Sequence, residues 1–137
     1  DSEDFIKLFK NKLDLKIISK YSFLSEKFIE EYNEKVDWYE IIKYQKISEN
    51  KIIQFQKYYI KFTKSLHPFM KNRYDKQILN DYWIRVFRHQ KNMFSKKIIL
   101  EKYKYYDFNK NVIIGYFINN LKNLPKDICK IIFSFYI

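Results

Sequence analysis

The residues of this chain that are best suited to chemistry are cations, and most of them lie in its second part. Residues 61–104 contain twelve Lys and Arg but only three acidic residues. Arg85 and Arg88 stand three positions apart, which places them on one side of a helix. Arginine binds phosphate and carboxylate groups through two nitrogens at once, and clustered cations bind polyanions in a salt-dependent way. The predicted binding residues are Arg73, Arg85, Arg88, Lys91, Lys96 and Lys97.

Catalysis is not predicted, because the residues that it usually needs are scarce. Gly115 is the only glycine and lies within a helical pattern, which gives neither a phosphate-binding loop nor a nucleophile elbow. His67 and His89 are far apart in the sequence and have no second ligand at metal spacing, and Cys129 is the only cysteine. We therefore expect a protein that is not an enzyme, with no catalytic residues, no metal site and no cofactor.

The positive charge is distributed unevenly along the 137 residues. Residues 1–58 have 11 Lys and 11 acidic residues, whereas residues 59–137 have 16 Lys and Arg against 5 acidic residues. This split divides the chain into two predicted parts. The first, over 1–58, is a helical repeat array with no net charge, and the second, over 59–137, is a basic helical part. The second part is predicted to pack onto the array, so that both form one continuous domain. No segment is long and apolar enough to predict a transmembrane helix.

A 23-residue pattern organises the first part of the chain. The dipeptide Ser-Glu occurs at 2–3, 25–26 and 48–49, and aspartate occurs at 14 and 37. Serine and aspartate cap the N-termini of helices, and an acidic residue in the first turn favours a helix start. Each repeat therefore predicts two short helices. Helices of about ten residues are marginal alone, so they must pack on neighbours.

The strict period fades after Phe55, but residues typical of helix starts continue to the end. Asp75, Ser95 and Asn109 each precede a helical pattern, and Leu124-Pro125 opens the last one. The predicted fold class is all-α, with eight or nine helices: two-helix repeats stacked as a solenoid-like array, continuing into a divergent helical C-terminal part. Since the chain opens directly on a repeat, we expect it to be the C-terminal part of a longer repeat protein.

Residues 37–49 read Asp-Trp-Tyr-Glu-Ile-Ile-Lys-Tyr-Gln-Lys-Ile-Ser-Glu. This stretch resembles a short tandem repeat of giant DNA virus (mimivirus-like) proteins, with the typical form Asp-Trp-x-x-Ile-Ser-x-Tyr-Gln-x-Leu-Ser-Glu-x-Phe-Ile. The match covers about residues 2–55, with departures at Leu15, Ile42 and Lys51. The resemblance implies a viral interaction module in the host cytoplasm or viral factory, with the virion as an alternative.

A second stretch, from Leu124 to Phe135, resembles the opening helix of an F-box. That module docks on a Skp1-type ubiquitin-ligase adaptor, and the resemblance implies Leu124, Pro125 and Ile128 as docking residues. The alternative is an amphipathic terminal helix that closes the stack, because Leu-Pro followed by helically spaced isoleucine is a common pattern.

Three functions follow from these patterns. The first is a non-enzymatic interaction or structural module of a large DNA virus, whose basic C-terminal surface binds an acidic protein partner. The second is a nucleic-acid-binding or genome-packaging protein, ranked lower because no DNA-binding motif accompanies the charge. Tyr74, Tyr82 and Trp83 could stack on bases if exposed, but their helical spacing predicts burial. The third is an F-box-like ubiquitin-ligase adaptor. A membrane surface, or solubility alone, would also account for the charge.

Overall fold

The predicted capping residues stand where helices begin. The side chain of Ser25 accepts a hydrogen bond from the backbone N–H of Phe28, and that of Asp37 accepts from Tyr39 and Glu40. Asp14, Ser95 and Asn109 cap their helices in the same way. Each bond satisfies a backbone N–H that the first turn of a helix leaves without a partner. The caps therefore set the helix boundaries locally.

The computed structural model describes residues 2–9, 12–121 and 125–136, and this part of the chain is helical and contains no strand. The all-α prediction is confirmed. The helices of the described residues are α1 (Ser2–Leu8), α2 (Leu15–Tyr21), α3 (Glu26–Glu31), α4 (Trp38–Tyr44), α5 (Glu49–Leu66), α6 (Asp75–His89), α7 (Lys96–Tyr105), α8 (Lys110–Asn120) and α9 (Lys126–Tyr136), with a 3-10 turn at Pro68–Met70. Among them we find none that combines the length and apolar character of a membrane-crossing helix.

Not every predicted cap is confirmed: Ser2 is the first residue of α1, and Ser48 precedes α5 but its side chain makes no capping hydrogen bond. Asp75 does not precede α6 but is its first residue, and the capping position belongs to Tyr74. Tyr74 has a φ of 74°, in the left-handed region, and its side chain makes no capping hydrogen bond. A side chain with a Cβ is strained by about 1–2 kcal/mol in this conformation. The start of α6 is therefore set by the backbone and not by a capping side chain.

The chain forms two compact units, Asp1–Arg73 and Tyr74–Ile137, which we call the N-terminal unit and the C-terminal unit. The boundary predicted from charge, at 58/59, lies inside α5. Residues 59–73, with Lys61, Lys64, Lys71 and Arg73, therefore belong to the N-terminal unit. By sequence that unit has a net charge of +4 and the C-terminal unit +7, so both units carry part of the excess.

The core of the N-terminal unit is built around Trp38. This indole has no exposed surface, and its ring lies 5.1 Å from that of Phe55 and 5.6 Å from that of Tyr58. Its Nε1 donates to the backbone carbonyl of Asn33 at 2.8 Å. The burial of Trp38 thus joins α4 to α5.

Hydrogen bonds connect successive repeats within the N-terminal unit. The carboxylate of Glu3 accepts from the backbone N–H and the hydroxyl of Ser25, and the carboxylate of Glu26 accepts from the same two groups of Ser48. In both cases the partners are 22 residues apart. Helix α2 packs against α4 in the same unit. The stacking of the repeats as a solenoid stays a prediction.

A buried glutamine adds a second link between repeats. The side-chain oxygen of Gln45 accepts from the backbone N–H of Leu24 at 2.9 Å, and its nitrogen donates to the carbonyls of Ser19 and Ser22. These backbone groups lie at the end of α2 and in the loop that follows it. Because an unpaired buried backbone group costs free energy, Gln45 fixes the conformation of this loop.

The C-terminal unit packs α8 against α6 and α9. Its centre is Phe87, whose ring contacts those of Phe94, Phe108 and Tyr116 at centroid distances of 5.1–6.2 Å. The hydroxyl of Tyr116 accepts from the backbone N–H of Phe94 and donates to the carbonyl of Asn92, both at 2.6 Å. Tyr116 thus holds the loop after α6 as Gln45 holds the loop after α2.

Candidate basic interface

The six predicted binding residues are divided between the two units. Arg73 is the last residue of the N-terminal unit, and the other five belong to the C-terminal unit. Arg85 and Arg88 lie on α6, and Lys91 lies in the connection that follows it. Lys96 and Lys97 form the first turn of α7. Arg73 is exposed, as are Arg88, Lys91, Lys96 and Lys97.

The two arginines of α6 are not equivalent. Arg85 donates from Nε to a carboxylate oxygen of Asp81 at 2.9 Å, one helical turn earlier, and is less exposed than Arg88. An ion pair of this kind adds little stability at a surface, but it directs the guanidinium toward its own helix. Arg88 instead lines a surface cleft. Of the two arginines predicted to bind together, Arg88 is therefore the one that remains a candidate for binding.

The cleft at Arg88, which we call the Arg88 cleft, has a volume of about 240 Å³. Arg88 is its charged residue, and the rest of the lining comes from α8 and its capping residue. The other lining residues are Asn109, Asn111, Val112, Gly115, Tyr116 and Asn119. The lining extends from Asn109 and Asn111 at the start of α8 to Asn119 near its end, so an arginine and amide side chains share one cleft along this helix.

Gly115 has no packing reason to be glycine. A Cβ built at this position would have no heavy atom within 4 Å, other than those of its immediate helix and chain neighbours. Glycine inside a helix is about 1 kcal/mol less favourable than alanine. The residue therefore lowers helix stability and leaves one wall of the Arg88 cleft without a side chain. A glycine in mid-helix was the signal in the sequence for this cleft, but from the sequence Gly115 was interpreted only as giving neither a phosphate-binding loop nor a nucleophile elbow.

Two helix starts of the C-terminal unit, those of α7 and α8, add positive charge, whereas α6 and α9 have Asp75 and Asp127 in their first turns. No acidic residue lies in the first turn of α7 or α8, where Lys97 and Lys110 are found. In the N-terminal unit, Glu26, Glu40 and Glu49 occupy the first turns of α3, α4 and α5. A helix N-terminus already carries about half a positive charge, so lysine there raises the local potential. Such a surface favours carboxylate or phosphate.

The aromatic residues of α6 are buried, whereas Phe69, Tyr74 and Tyr105 outside this helix are exposed. Tyr82 and Trp83 have no exposed surface, which confirms the burial predicted from their spacing. Burial raises the pKa of Tyr82 well above its usual range. The ammonium of Lys102 lies 4.8 Å from the centre of the Trp83 ring. Only Tyr74 of the three predicted stacking residues is exposed, so α6 offers no aromatic platform for bases.

The terminal helix α9 has a buried and an exposed face. Cys129 and Phe133 are buried, and the ring of Phe133 packs edge-on against Tyr103 at 5.2 Å. Pro125 and Ile128 are exposed, Ile128 by 40%. Leu124 lies outside the described residues. Docking of this helix on an adaptor stays a prediction.

Comparisons with family models, with curated proteins and with solved structures found no match to this chain. The resemblances to a giant-virus repeat and to an F-box therefore stay predictions. Among the described residues, no three His, Cys, Asp or Glu side chains are grouped so that they could hold a metal ion. The Arg88 cleft, which includes the start of α8, is the feature from which we argue a function.

Proposed function

We propose that this protein is a non-enzymatic helical interaction module that binds an acidic protein surface through its C-terminal unit. The observation that carries the proposal is the Arg88 cleft, where an exposed arginine and three asparagine side chains line one cleft along α8. The first turns of α7 and α8 supply lysine instead of the acidic residues found in α3, α4 and α5.

A glutamate or aspartate side chain suits this cleft chemically. The guanidinium of Arg88 offers two parallel N–H donors, the geometry that a carboxylate accepts best. Asn109, Asn111 and Asn119 add amide groups around it, and the positive end of the α8 dipole favours an anion. Gly115 leaves room for the partner's backbone to approach α8.

The N-terminal unit serves as the scaffold in this proposal, with its two-helix repeats stacked as a solenoid-like array. The bonds from Glu3 to Ser25 and from Glu26 to Ser48 support this arrangement, because they recur at the repeat interval. The resemblance of residues 2–55 leads us to propose a large DNA virus as the source, with action in the host cytoplasm or viral factory.

Nucleic acid is the competing ligand, since clustered cations also bind phosphate. The burial of Tyr82 and Trp83 favours a protein surface, because single-stranded nucleic acid is usually held on exposed aromatic rings.

The test measures binding of a fluorescein-labelled oligoglutamate peptide and of a single-stranded oligonucleotide by fluorescence anisotropy. We expect Arg88→Glu with Lys97→Glu to weaken peptide binding about tenfold or more at low salt. The matched control is Lys16→Glu with Lys27→Glu, at exposed positions of the N-terminal unit, which changes the net charge equally outside the proposed binding surface.

If both double variants lost the same affinity for the peptide, net charge alone would explain the binding. That result would contradict the proposed site. Tighter binding of the oligonucleotide than of the peptide at about 150 mM salt would favour the nucleic-acid function instead. Arg85→Glu should weaken peptide binding less than Arg88→Glu, because Arg85 already pairs with Asp81.

A further inference from the structure

The same pair of aromatic rings occurs in α1 and in α3, with very different exposure. Phe5 and Phe9 have ring centres 4.8 Å apart at 42°, and Phe28 and Tyr32 have ring centres 4.6 Å apart at 38°. The two pairs occupy equivalent positions of successive repeats. Yet Phe28 is 1% exposed and Phe5 is 58% exposed. The conformation of the pair is the same, so its surroundings make the difference.

Helix α3 is joined to a helix on each side. Toward α1 it is held by the bond of Ser25 to Glu3 and by an ion pair between Lys7 and Glu31 at 3.3 Å. Toward α5 it is held by the bond of Ser48 to Glu26 and by an ion pair between Glu30 and Lys51 at 2.8 Å. The corresponding bonds of helix α1 lie on the side toward α3. Its other side exposes Phe5.

Leu8 indicates what the exposed side of α1 is suited to contact. It is 76% exposed, and Glu31 occupies the equivalent position of the next repeat. Glu31 reaches back to Lys7 of the preceding repeat, so this position faces the repeat before it. A leucine in that position requires an apolar side chain in the preceding repeat. A lysine there would lose the hydration of its ammonium group without gaining a carboxylate to bind.

We infer that the outer face of α1, defined by Phe5, Leu8 and Phe9, is a docking surface for one further two-helix repeat of the same kind. Such a repeat binds α1 as α1 binds α3, and it carries an apolar side chain at the position that corresponds to Lys7. The inference rests on the proposed stacking of repeats. It also specifies the residues that the docking repeat carries. These are a capping serine followed by glutamate, and an apolar residue four positions after that glutamate.

The position of Ser2 in the sequence agrees with this occupant. Ser25 and Ser48 each donate to a glutamate 22 residues earlier, and Ser2 is the serine of the same pattern one repeat before. A second copy of the chain docked through the same face would not supply this glutamate, because Glu3 already accepts from Ser25.

The experiment joins a copy of residues 25–47 directly before Ser2 of the full chain, in place of Asp1. Within the copy, Glu30→Leu supplies the apolar residue. Glu26 of the copy comes to lie 22 residues before Ser2, which is the spacing between Glu3 and Ser25. We expect one cooperative unfolding transition with Tm raised by about 5 °C or more. Hydrogen exchange of the α1 amides should slow about tenfold or more.

The control fusion carries Glu26→Ala in the copy and retains Glu30, which places a carboxylate opposite Leu8. It should lose most of the rise in Tm. If the added repeat melts separately, or if exchange in α1 does not change, the inference is overturned. Peptide binding at the Arg88 cleft is measured on the same fusion, so that a failure of docking is distinguished from a failure of the proposed function.

Sedimentation velocity and vesicle flotation of the unfused chain test the other occupants. A dimer that Leu8→Glu abolishes would make this face a self-association surface and overturn the inference. Retention on phosphatidylserine vesicles, lost in the same variant, would overturn it in favour of a membrane. We expect neither. Leu8→Glu introduces the residue found at the equivalent position 31, and circular dichroism verifies its folding.

Discussion

The two units hold the loop before a capping serine in the same way, but with different side chains. In the N-terminal unit, Gln45 binds the backbone of residues 22–24 through its amide. In the C-terminal unit, Tyr116 binds the backbone of residues 92–94 through its hydroxyl. Each bonds to one N–H and one C=O two positions apart. The backbone requirement is therefore shared, and either group that both donates and accepts can meet it.

The units differ in how their charges are used. In the N-terminal unit, the ion pairs Lys7–Glu31, Glu30–Lys51 and Glu34–Lys61 connect elements that are distant in the sequence. In the C-terminal unit, the described pairs Arg85–Asp81 and Lys102–Glu101 each lie within one helix. The described ion pairs thus connect helices in the first unit, whereas in the second a cation connects helices through an aromatic ring, as Lys102 of α7 does on Trp83 of α6.

Removing the two loop-holding side chains should have the largest effect. Gln45→Met removes three hydrogen bonds to buried or part-buried backbone groups, which we expect to lower the free energy of unfolding by about 2–3 kcal/mol. Tyr116→Phe removes two and should cost about 1–2 kcal/mol. Urea denaturation followed by circular dichroism measures both.

The controls for this prediction are Gln54→Met and Tyr21→Phe, at exposed positions, which should change stability by less than about 0.5 kcal/mol. If Tyr116→Phe lowers the free energy of unfolding no more than Tyr21→Phe does, the hydrogen bonds of Tyr116 do not stabilise its loop. The comparison between the two units then fails.

Local patterns predicted much of the fold, and contacts across repeats were missed. The caps at Asp14, Ser25 and Asp37 could be predicted because each acts on its own helix. Glu26 was interpreted as a first-turn residue of its own helix, but its carboxylate binds Ser48 of the next repeat. A single repeat does not reveal such a partner, because packing determines which neighbour the side chain reaches.

One pair of buried residues recurs beyond the part of the chain that follows the strict period. Trp83 and Gln90 have the spacing of Trp38 and Gln45, and all four are buried. Their offset along the chain is one position short of two full periods, so a strict period misses them. The Arg88 cleft could not be predicted because α8, which lines most of it, lies well beyond Arg88 along the chain, with α7 between them.

Gly115→Ala tests whether the C-terminal unit sacrifices stability for its cleft. The open space around this position predicts that a methyl group fits without strain. Alanine should therefore raise the free energy of unfolding by about 0.5–1 kcal/mol, measured by urea denaturation. The same methyl group should weaken binding of the oligoglutamate peptide, because it enters the Arg88 cleft.

Ser134→Ala on α9 is the control for Gly115→Ala, since it changes an exposed helical residue outside that cleft. Peptide affinity equal to that of the original chain, together with higher stability, would separate Gly115 from the binding site. It would also weaken the contrast between a structural unit and a binding unit.

The smallest predicted effect concerns an ion pair that connects α3 to α5. A hydrogen bond from the ammonium of Lys51 lowers the pKa of Glu30, and the same bond raises the pKa of Lys51. Because the pKa of Glu30 is lower in the folded chain, its contribution to stability is present above the usual pKa of glutamate. It is lost as pH falls through the lowered value.

Lys51→Met should return the pKa of Glu30 toward its usual range, as measured by NMR titration of the side-chain carboxyl carbon. Lys57→Met is the graded comparison, because Lys57 acts on Glu30 only through its charge and more weakly. If Lys57→Met moved this pKa more than Lys51→Met, a general field and not a specific bond would set it. The contrast with the C-terminal unit depends on the specific bond, because a general field would act on any carboxylate near these lysines and would not join one helix to the next.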